Sequence, residues 1–252
     1  MKLYGLIGYP LSHSFSQAYF RKKFKNEGLI DHDYLNFPIQ DIAEIRGVIK
    51  EYPELLGFNV TIPYKQQIIS YLDEIDIVAQ EVEAVNTVKI IRKDNKKTFL
   101  KGYNTDIYGF EQSLKPFLSK IHKHALILGT GGAAKAVAYV LKHLDIDYSF
   151  VSRKPKCGLC IDYKELKNIS IKKNSLIINT TPLGMFPDIE AFPDIPYREI
   201  DNGHVLFDLI YNPLRTMFLE KGEINGAIAI NGYRMLELQA EKAWGIFTQG
   251  IS

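Results

Sequence analysis

The chain has 252 residues, of which 46% are hydrophobic and 24% are charged, and its formal net charge is +2. This composition is that of an ordinary globular protein with one large domain or two modest ones, and it argues against a disordered chain. The chain has neither a run of five or more like charges nor an apolar stretch of about 18 residues, so we expect no nucleic-acid partner and no membrane span.

The first hundred residues alternate short β-rich runs with amphipathic segments, which predicts an α/β domain. Residues 14–27 carry aromatic side chains at four-residue spacing and stop at Gly28, which predicts a helix. The N-terminus lacks the apolar segment of a signal peptide, and with only two cysteines in the chain a cytoplasmic location fits best. The predicted strands are KLYGLIG, DYLNF, GFNVT and VNTVKII.

A second block begins near Asp106. Its apolar strand HALILG is followed by the helix GAAKAVAYVLKHL, and the runs DYSFVS, SLIIN, HVLFDLI and AIAI are predicted as further strands. Continuous apolar runs are typical of a parallel sheet that is covered on both faces. The last predicted helix, Tyr233 to Phe247, is long and amphipathic, and we expect it to pack against the first domain.

A glycine-rich segment joins the first strand and helix of the second block. Gly129, Gly131 and Ala134 match the pattern G-x-G-x-x-A, and the pattern lies between a strand and a helix as a dinucleotide site requires. Glycines allow a tight turn and a close approach to a pyrophosphate, which the helix N-terminus then binds. The alternative is a tight strand–helix turn that binds nothing.

The end of the next strand indicates which dinucleotide binds. NAD sites usually carry a carboxylate about 20 residues after the glycines, but here the strand ends in Ser152-Arg153-Lys154. An arginine can hold a 2′-phosphate with paired N–H donors, and a lysine adds positive charge. This turn therefore predicts NADP, and the alternative is a solvated basic turn.

Polar segments also occur in the first block, at residues 12–16, 59–65, 84–87 and 102–106. Each allows a structural interpretation. Ser14 and Asp106 can simply cap helices, and Lys65 can be a solvated surface lysine.

Together these segments resemble the shikimate dehydrogenase family. The motifs follow the family's order and span nearly the whole chain: Ser14/Ser16, N-V-T-x-P-x-K at 59–65, A-x-N-T at 84–87, N-T-D at 104–106, G-x-G-G-A at 129–133, N-x-T-x-x-G-M at 179–185, D-x-x-Y at 208–211 and M-L-x-x-Q at 235–239. Each motif is moderately specific, and eight in order are very specific.

The resemblance implies an α/β fold with an N-terminal substrate domain, a Rossmann-type doubly wound NADP domain and a C-terminal helix that returns to the first domain. The implied boundaries are 1–105 plus 233–252 for the substrate domain and 106–232 for the NADP domain. The implied reaction interconverts shikimate and 3-dehydroshikimate in aromatic amino acid biosynthesis. The expected partners are this small molecule and NADP, and the expected state is a monomer or homodimer.

The resemblance also implies the site residues. The catalytic pair is Lys65 and Asp106. The substrate-binding residues are Ser14, Ser16, Asn59, Thr61, Asn86, Tyr211 and Gln239. The cofactor-binding residues are Gly129, Thr130, Gly131, Gly132, Ala133, Ser152, Arg153, Lys154, Thr180, Met185 and Gly232.

The pair Lys65 and Asp106 suits the chemistry. Oxidation of a secondary alcohol removes a hydride from carbon and a proton from oxygen. A lysine can accept that proton if burial lowers its pKa, and a carboxylate can orient the lysine or share the transfer.

The sequence departs from the family at Arg234, where a small residue is usual, which puts a local backbone contact in doubt. Cys157 and Cys160 lack the second cysteine pair of a zinc site, although His122 and His124 could in principle complete one. Their spacing also lacks the strand context of a thioredoxin-like redox pair, so we expect no metal and two reduced cysteines. Two alternatives remain open for the function: a quinate/shikimate dehydrogenase and a non-catalytic NADP-binding sensor on the same fold.

Overall fold

The computed structural model describes residues 1–11, 14–92, 98–154, 158, 160–166, 170–173 and 175–249. The chain divides into two compact units. The first consists of Met1–Thr105 with Ala240–Ser252, and the second of Asp106–Gln239.

The first unit is built on a mixed six-stranded sheet with the order β2-β1-β3-β5-β6-β4. Strands β1, β2 and β3 are parallel neighbours, whereas β5 pairs antiparallel with both β3 and β6. Its strands are β1 (Lys2–Gly8), β2 (His32–Pro38), β3 (Leu55–Val60), β4 (Glu74–Ile75), β5 (Thr87–Arg92) and β6 (Thr98–Tyr103), and its helices are α1 (Phe15–Asn26), α2 (Ile45–Glu51) and α3 (Ile77–Glu81).

The second unit contains a six-stranded sheet with the order β12-β11-β10-β7-β8-β9, in which every strand pairs parallel with its neighbours. Its strands are β7 (His124–Leu128), β8 (Asp147–Ser152), β9 (Cys160–Asp162), β10 (Leu176–Asn179), β11 (Val205–Asp208) and β12 (Ile228–Ile230). Its helices are α4 (Asp106–Leu114), α5 (Gly132–His143), α6 (Tyr163–Leu166) and α7 (Met217–Ile224), together with the first part of α8 (Tyr233–Thr248), whose residues from Ala240 belong to the first unit.

The strand order of the second sheet determines where a ligand is expected. The chain runs outward from β7 to β9 and then restarts at β10 on the other side of β7. In such doubly wound sheets, ligands bind outside the carboxyl ends of the strands at the point where the order reverses. The loops after β7, β8 and β10 are therefore the candidate binding loops.

Helix α8 returns to the first unit, as predicted. Its last turns place Ala240, Ala243 and Phe247 in a buried cluster with Tyr4 and Phe20. The sheet is shaped for this helix, because a Cβ on Gly57 would lie 2.5 Å from the Phe247 ring. The division between the two compact units falls inside α8, after Gln239.

Three strands are not among those predicted: the two-residue β4, β6 and β9. Gly102 and Tyr103, which begin the polar segment 102–106, end β6, which pairs with β5 over six residues. Both β6 and the three-residue β9 lack the continuous apolar run by which the other strands of their sheets are recognised.

Candidate functional site

The glycine-rich turn lies at the carboxyl end of β7 and has the shape that a pyrophosphate requires. Gly129 has φ +110°, and a Cβ on it would lie 2.7 Å from Thr180 Oγ1. A Cβ on Gly131 or Gly132 would meet no atom within 4 Å, so the turn is open on the side of the helix N-terminus. Thr130 and Ala133 complete this turn.

Helix α5 begins at this turn without a side-chain cap. Gly131 is the N-cap residue and offers no side chain, and the first turn of the twelve-residue helix carries no acidic residue. The first N–H groups of a helix have no partner within the helix and favour an anion. The open glycine turn therefore fits the pyrophosphate of a dinucleotide.

The basic turn Ser152–Lys154 follows β8, the strand beside β7. The Ser152 hydroxyl accepts a hydrogen bond of 3.2 Å from the Lys154 backbone N–H, which holds the turn. Arg153 and Lys154 are both exposed. In the described part of the chain neither side chain forms an ion pair, so both charges can meet a ligand phosphate.

The loop after β10 lies against the glycine-rich turn. Thr180 donates its hydroxyl hydrogen bond to the Leu128 carbonyl at 2.6 Å, directly before Gly129. Further along this loop, Met185 is exposed. Thr180 and Met185 therefore belong to one loop at the point where the strand order reverses.

The segment after β11 explains the need for glycine at position 232. A Cβ on Gly232 would lie 2.1 Å from the Leu209 carbonyl oxygen, so no larger residue fits. Tyr211 is half-buried, and this burial raises its pKa. Arg234 points away from this contact, because it is exposed and pairs with Glu237 at 3.1 Å. The departure from the family at Arg234 therefore affects an exposed turn of α8.

Helices α4 and α8 meet closely within the second unit. A Cβ on Gly109 would lie 2.6 Å from the Met235 carbonyl oxygen and 3.2 Å from Gln239 Cβ. Asp106 is the buried first residue of α4, three positions before Gly109 and hence on the same helix face. Asp106 and Gln239 therefore lie on helix faces that approach each other.

A buried polar network connects the strands of the first unit. The Tyr34 hydroxyl accepts from Ser16 and donates to Asn59 Oδ1 at 2.8 Å. Asn59 in turn donates to the Asn86 carbonyl at 3.2 Å and to Thr87 Oγ1 at 3.0 Å, which uses both of its N–H groups. Burial raises the pKa of Tyr34, which stays protonated as a donor.

Asn86 joins this network to the segment before Asp106. Its side-chain oxygen accepts from the Thr105 backbone N–H at 2.7 Å, and the residue is buried. Sequence reasoning missed Tyr34, since a tyrosine inside a strand carries no motif signal by itself. Thr87 belongs to the A-x-N-T motif but was not assigned as a site residue.

Ser14 occupies the N-cap position of α1 but does not act as a cap. Its side chain makes no cap hydrogen bond, and its hydroxyl is buried without a partner among the described residues. Such an unsatisfied buried hydroxyl at a helix N-terminus suits an anionic ligand group. His13 and Ser12 lie outside the described residues.

Thr61 and Lys65 lie on the turn after β3. The Thr61 backbone N–H donates to the Ile7 carbonyl at 2.9 Å, which joins this turn to the end of β1. The Lys65 carbonyl accepts from Val85 N–H at 2.8 Å, directly before Asn86. Both predicted site residues are half-buried.

No metal centre is visible among the residues that the structure describes, which hold no group of three or more His, Cys, Asp and Glu able to bind an ion. His122 Nδ1 accepts from the Ser119 N–H at 2.8 Å, and His124 lies 3.6 Å from Asp147. Cys160 is disulfide-bonded, so the expectation of a reduced cysteine is wrong for this residue; Cys157 lies outside the described residues.

The helices in the described part of the chain include none that is long and apolar enough to cross a membrane.

Comparison with known proteins identifies the family. Residues 6–88 match the model of the shikimate dehydrogenase substrate binding domain. The chain is 40% identical to the shikimate dehydrogenase (NADP(+)) of Methanococcus maripaludis strain C6, over 98% of this chain and 91% of that protein. Its structure resembles shikimate dehydrogenase 1 of Peptoclostridium difficile, with a TM-score of 0.85, 37% identity and coverage of 98% and 92% of the two chains.

A second solved structure contains ligands. The shikimate 5-dehydrogenase of Thermus thermophilus, in complex with NADP(H) and shikimate, matches with a TM-score of 0.83 and 28% identity over 98% of this chain and 94% of the other. The relatives match this chain along nearly its full length, and the chain belongs to the shikimate dehydrogenase family.

Proposed function

We propose that this chain is an NADP-dependent shikimate dehydrogenase, an enzyme that interconverts shikimate and 3-dehydroshikimate. The observation that carries the proposal is the pair of turns after the adjacent strands β7 and β8. One is open and rich in glycine at a helix N-terminus, and the other presents Arg153 and Lys154 without ion-pair partners among the described residues. Relatives that are named for shikimate and NADP(+) support the same reaction.

The proposed cofactor site consists of four loops, which follow β7, β8, β10 and β12 of the second sheet. Backbone N–H groups of Gly131 and Gly132 would hold the pyrophosphate, and Arg153 with Lys154 would hold the 2′-phosphate. Thr180, Met185 and Gly232 belong to the loops beyond the strand reversal, where the nicotinamide end is expected. Bound NADP would supply the hydride acceptor.

The substrate residues offer the groups that a small polyol acid requires. The Ser14 hydroxyl, which has no partner among the described residues, would donate to the substrate carboxylate. Ser16 would join it by turning its single hydroxyl proton from Tyr34 to the carboxylate. Thr61, Asn86, Tyr211 and Gln239 would bind hydroxyl groups. Both N–H groups of Asn59 are bonded within the protein, so Asn59 would act by holding Asn86 and Thr87 in place.

Lys65 and Asp106 would handle the proton of the reacting hydroxyl. When the alcohol is oxidised, its O–H proton passes to this pair as the hydride leaves carbon, and the reverse reaction returns it. In this proposal residues 1–105 and 233–252 form the substrate domain and residues 106–232 the NADP domain. The working state is a cytoplasmic monomer or homodimer, and light scattering would distinguish the two states.

Steady-state kinetics test the proposal. Shikimate and quinate are each assayed with NADP and with NAD by following the absorbance of the reduced cofactor. We expect the highest kcat/KM for shikimate with NADP. Equal rates with quinate would identify a quinate/shikimate dehydrogenase. NADPH binding without turnover of either substrate would identify a sensor and contradict the proposed reaction.

A further inference from the structure

Asp208 is a completely buried carboxylate at the carboxyl end of β11. Three donors from three segments converge on it. Asn179 at the end of β10 donates at 3.1 Å, and the Ile210 backbone N–H donates at 3.0 Å, both to Oδ1. The Thr216 hydroxyl, at the N-cap of α7, donates to Oδ2 at 2.6 Å.

Through its hydrogen bond to Asn179, Asp208 is connected to the loop after β10. Asn179 Oδ1 accepts from the Thr181 backbone N–H at 3.0 Å and from its hydroxyl at 2.7 Å. Thr180, which lies between these two residues, donates its hydroxyl hydrogen bond to the Leu128 carbonyl beside the glycine-rich turn. Asp208 thus connects, through Asn179, to the loop that carries Thr180 and Met185.

The Thr216 bond fixes the opposite side of the same loop. Gly184 lies against this residue, because a Cβ on Gly184 would be 3.4 Å from Thr216 Cβ. The loop is also held by a bond of 3.2 Å from the Phe186 N–H to the Asn212 carbonyl, directly after Tyr211. The loops after β10 and β11 are therefore joined around one carboxylate.

Asp208 has no cation beside it in the described part of the chain, and its three bonds come from neutral donors. Burial raises the pKa of Asp208 to about 6, although the bonds from Thr216, Ile210 and Asn179 oppose this effect. A buried charge without a counterion is unfavourable for folding, and groups of this kind concentrate at functional sites.

We propose that Asp208 is a positioning residue, whose charge holds the loops of Thr180, Met185 and Tyr211 in the arrangement that binds the nicotinamide end of NADP. The inference rests on the proposed cofactor. Bonds to an ionised acceptor are roughly twice as strong as neutral ones. The charge therefore holds the two loops more firmly than a neutral side chain of the same shape.

Protonation of Asp208 should loosen the loops. The titratable group whose pKa responds to this carboxylate is Tyr197, which burial and Asp208 both keep protonated. It stays neutral across the relevant range, and a transition near pH 6 in the apo protein is assigned to Asp208 by its loss in Asp208→Asn.

The test compares Asp208→Asn, which keeps the shape and removes the charge, with Thr216→Val, which removes one donor to Asp208 together with the N-cap acceptor of the Leu219 N–H. The control is Asp201→Asn, an exposed carboxylate before the opposite end of β11. NADPH affinity is measured by fluorescence titration at pH 7.5 and pH 5.5. KM for NADP and for shikimate and the thermal midpoint are measured alongside.

At pH 7.5 we expect Asp208→Asn to weaken NADPH binding by about tenfold, as a small displacement of binding groups does. KM for NADP should rise in proportion, KM for shikimate should stay within about twofold, and the thermal midpoint should not fall, because an unfavourable buried charge is removed. Thr216→Val should weaken NADPH binding in the same direction, and Asp201→Asn should not.

At pH 5.5 Asp208 is protonated in most wild-type molecules. The ratio of NADPH affinities between wild type and Asp208→Asn should therefore shrink to about threefold. The 2′-phosphate of NADPH titrates in the same range, but its effect is common to both proteins and cancels in the ratio.

Equal NADPH affinity in wild type and Asp208→Asn at both pH values would overturn the inference. Equal rises in both KM values together with a lower thermal midpoint would also overturn it, since they indicate a structural role alone. Failure of the proposed reaction looks different: wild type would bind NADPH but not oxidise shikimate, and the titrations would still test Asp208. A wild type that binds no NADPH overturns both proposals.

Discussion

At the residue scale, a substitution of Ser14 should affect substrate binding but not the stability of the fold. Its hydroxyl makes no cap bond, so Ser14→Ala should cost much less than the typical ~1 kcal/mol of a lost N-cap. If the hydroxyl donates to the substrate carboxylate, KM for shikimate should rise while KM for NADP stays constant. Urea denaturation and steady-state kinetics measure the two effects.

Asp41→Ala is the matched control for Ser14→Ala. Asp41 accepts from the Ala43 N–H at 2.8 Å in a complete capping box. Its loss should lower the free energy of unfolding by about 0.5–2 kcal/mol and leave KM unchanged. If Ser14→Ala behaves like this control, Ser14 is a structural cap and not a ligand.

The cofactor preference also depends on single residues. Arg153→Ala should lower kcat/KM with NADP, because it removes a charge-assisted, bidentate contact. It should barely change kcat/KM with NAD, which has no 2′-phosphate. The control Arg198→Ala, at an exposed arginine outside the cofactor loops, should change kcat/KM with neither cofactor. The measurement is kcat/KM with each cofactor, and an equal loss for both cofactors in Arg153→Ala would exclude the 2′-phosphate role.

The residues predicted from the sequence are those whose local context carries the signal. Gly131 follows a strand and opens a helix, and Arg153 ends the next strand, so neighbouring residues suffice to predict both. Asp208 could be noticed only as part of a motif. Its role depends on Asn179 and Thr216, and only the folded sheet brings these two residues to it.

At the element scale, helix α8 should contribute strongly to the stability of the first unit. Phe247 is fully buried against Tyr4, with ring centroids 5.2 Å apart. Phe247→Ala should lower the free energy of unfolding by about 3–5 kcal/mol, because it removes apolar contacts and leaves a cavity. Chemical denaturation measures this loss.

Gly245 offers the opposite change on the same helix. A Cβ there would meet nothing within 4 Å, so an alanine fits without displacing any neighbour. Gly245→Ala should therefore stabilise the protein by about 0.4–1 kcal/mol. If both variants proved neutral, the last turns of α8 would not be packed on the sheet in solution.

Elements were predictable where the sequence carries a continuous apolar run or a helical period. The strand β10, buried at all four residues, lies in the predicted run SLIIN, and α8 begins at the predicted Tyr233. The strand β6 was missed because Lys101 and Gly102 interrupt its apolar pattern, and its position depends on pairing with β5. Such pairing lies outside any local sequence window.

At the scale of the whole molecule, the two predicted catalytic residues come from different units. Lys65 follows β3 in the first unit, and Asp106 opens α4 in the second. They are 41 positions apart in the sequence, so the proposed cooperation between them would depend on the complete fold. The order of motifs along the chain predicted both residues, but only kinetics can show that they act together.

Lys65→Ala should lower kcat by about 10²–10⁴, the usual range for a lost acid–base group. Asp106→Ala should also lower kcat, and the double variant should lose little beyond the worse single variant, because groups that act as a unit are not additive. NADPH titration should still show binding in all three variants, since neither residue lies in the nucleotide loops.

The control is Lys50→Ala, at an exposed lysine of α2, which should have the kcat of wild type. Multiplying losses in the double variant would mean that the two residues act independently, and a normal kcat in Lys65→Ala would contradict its role in proton transfer.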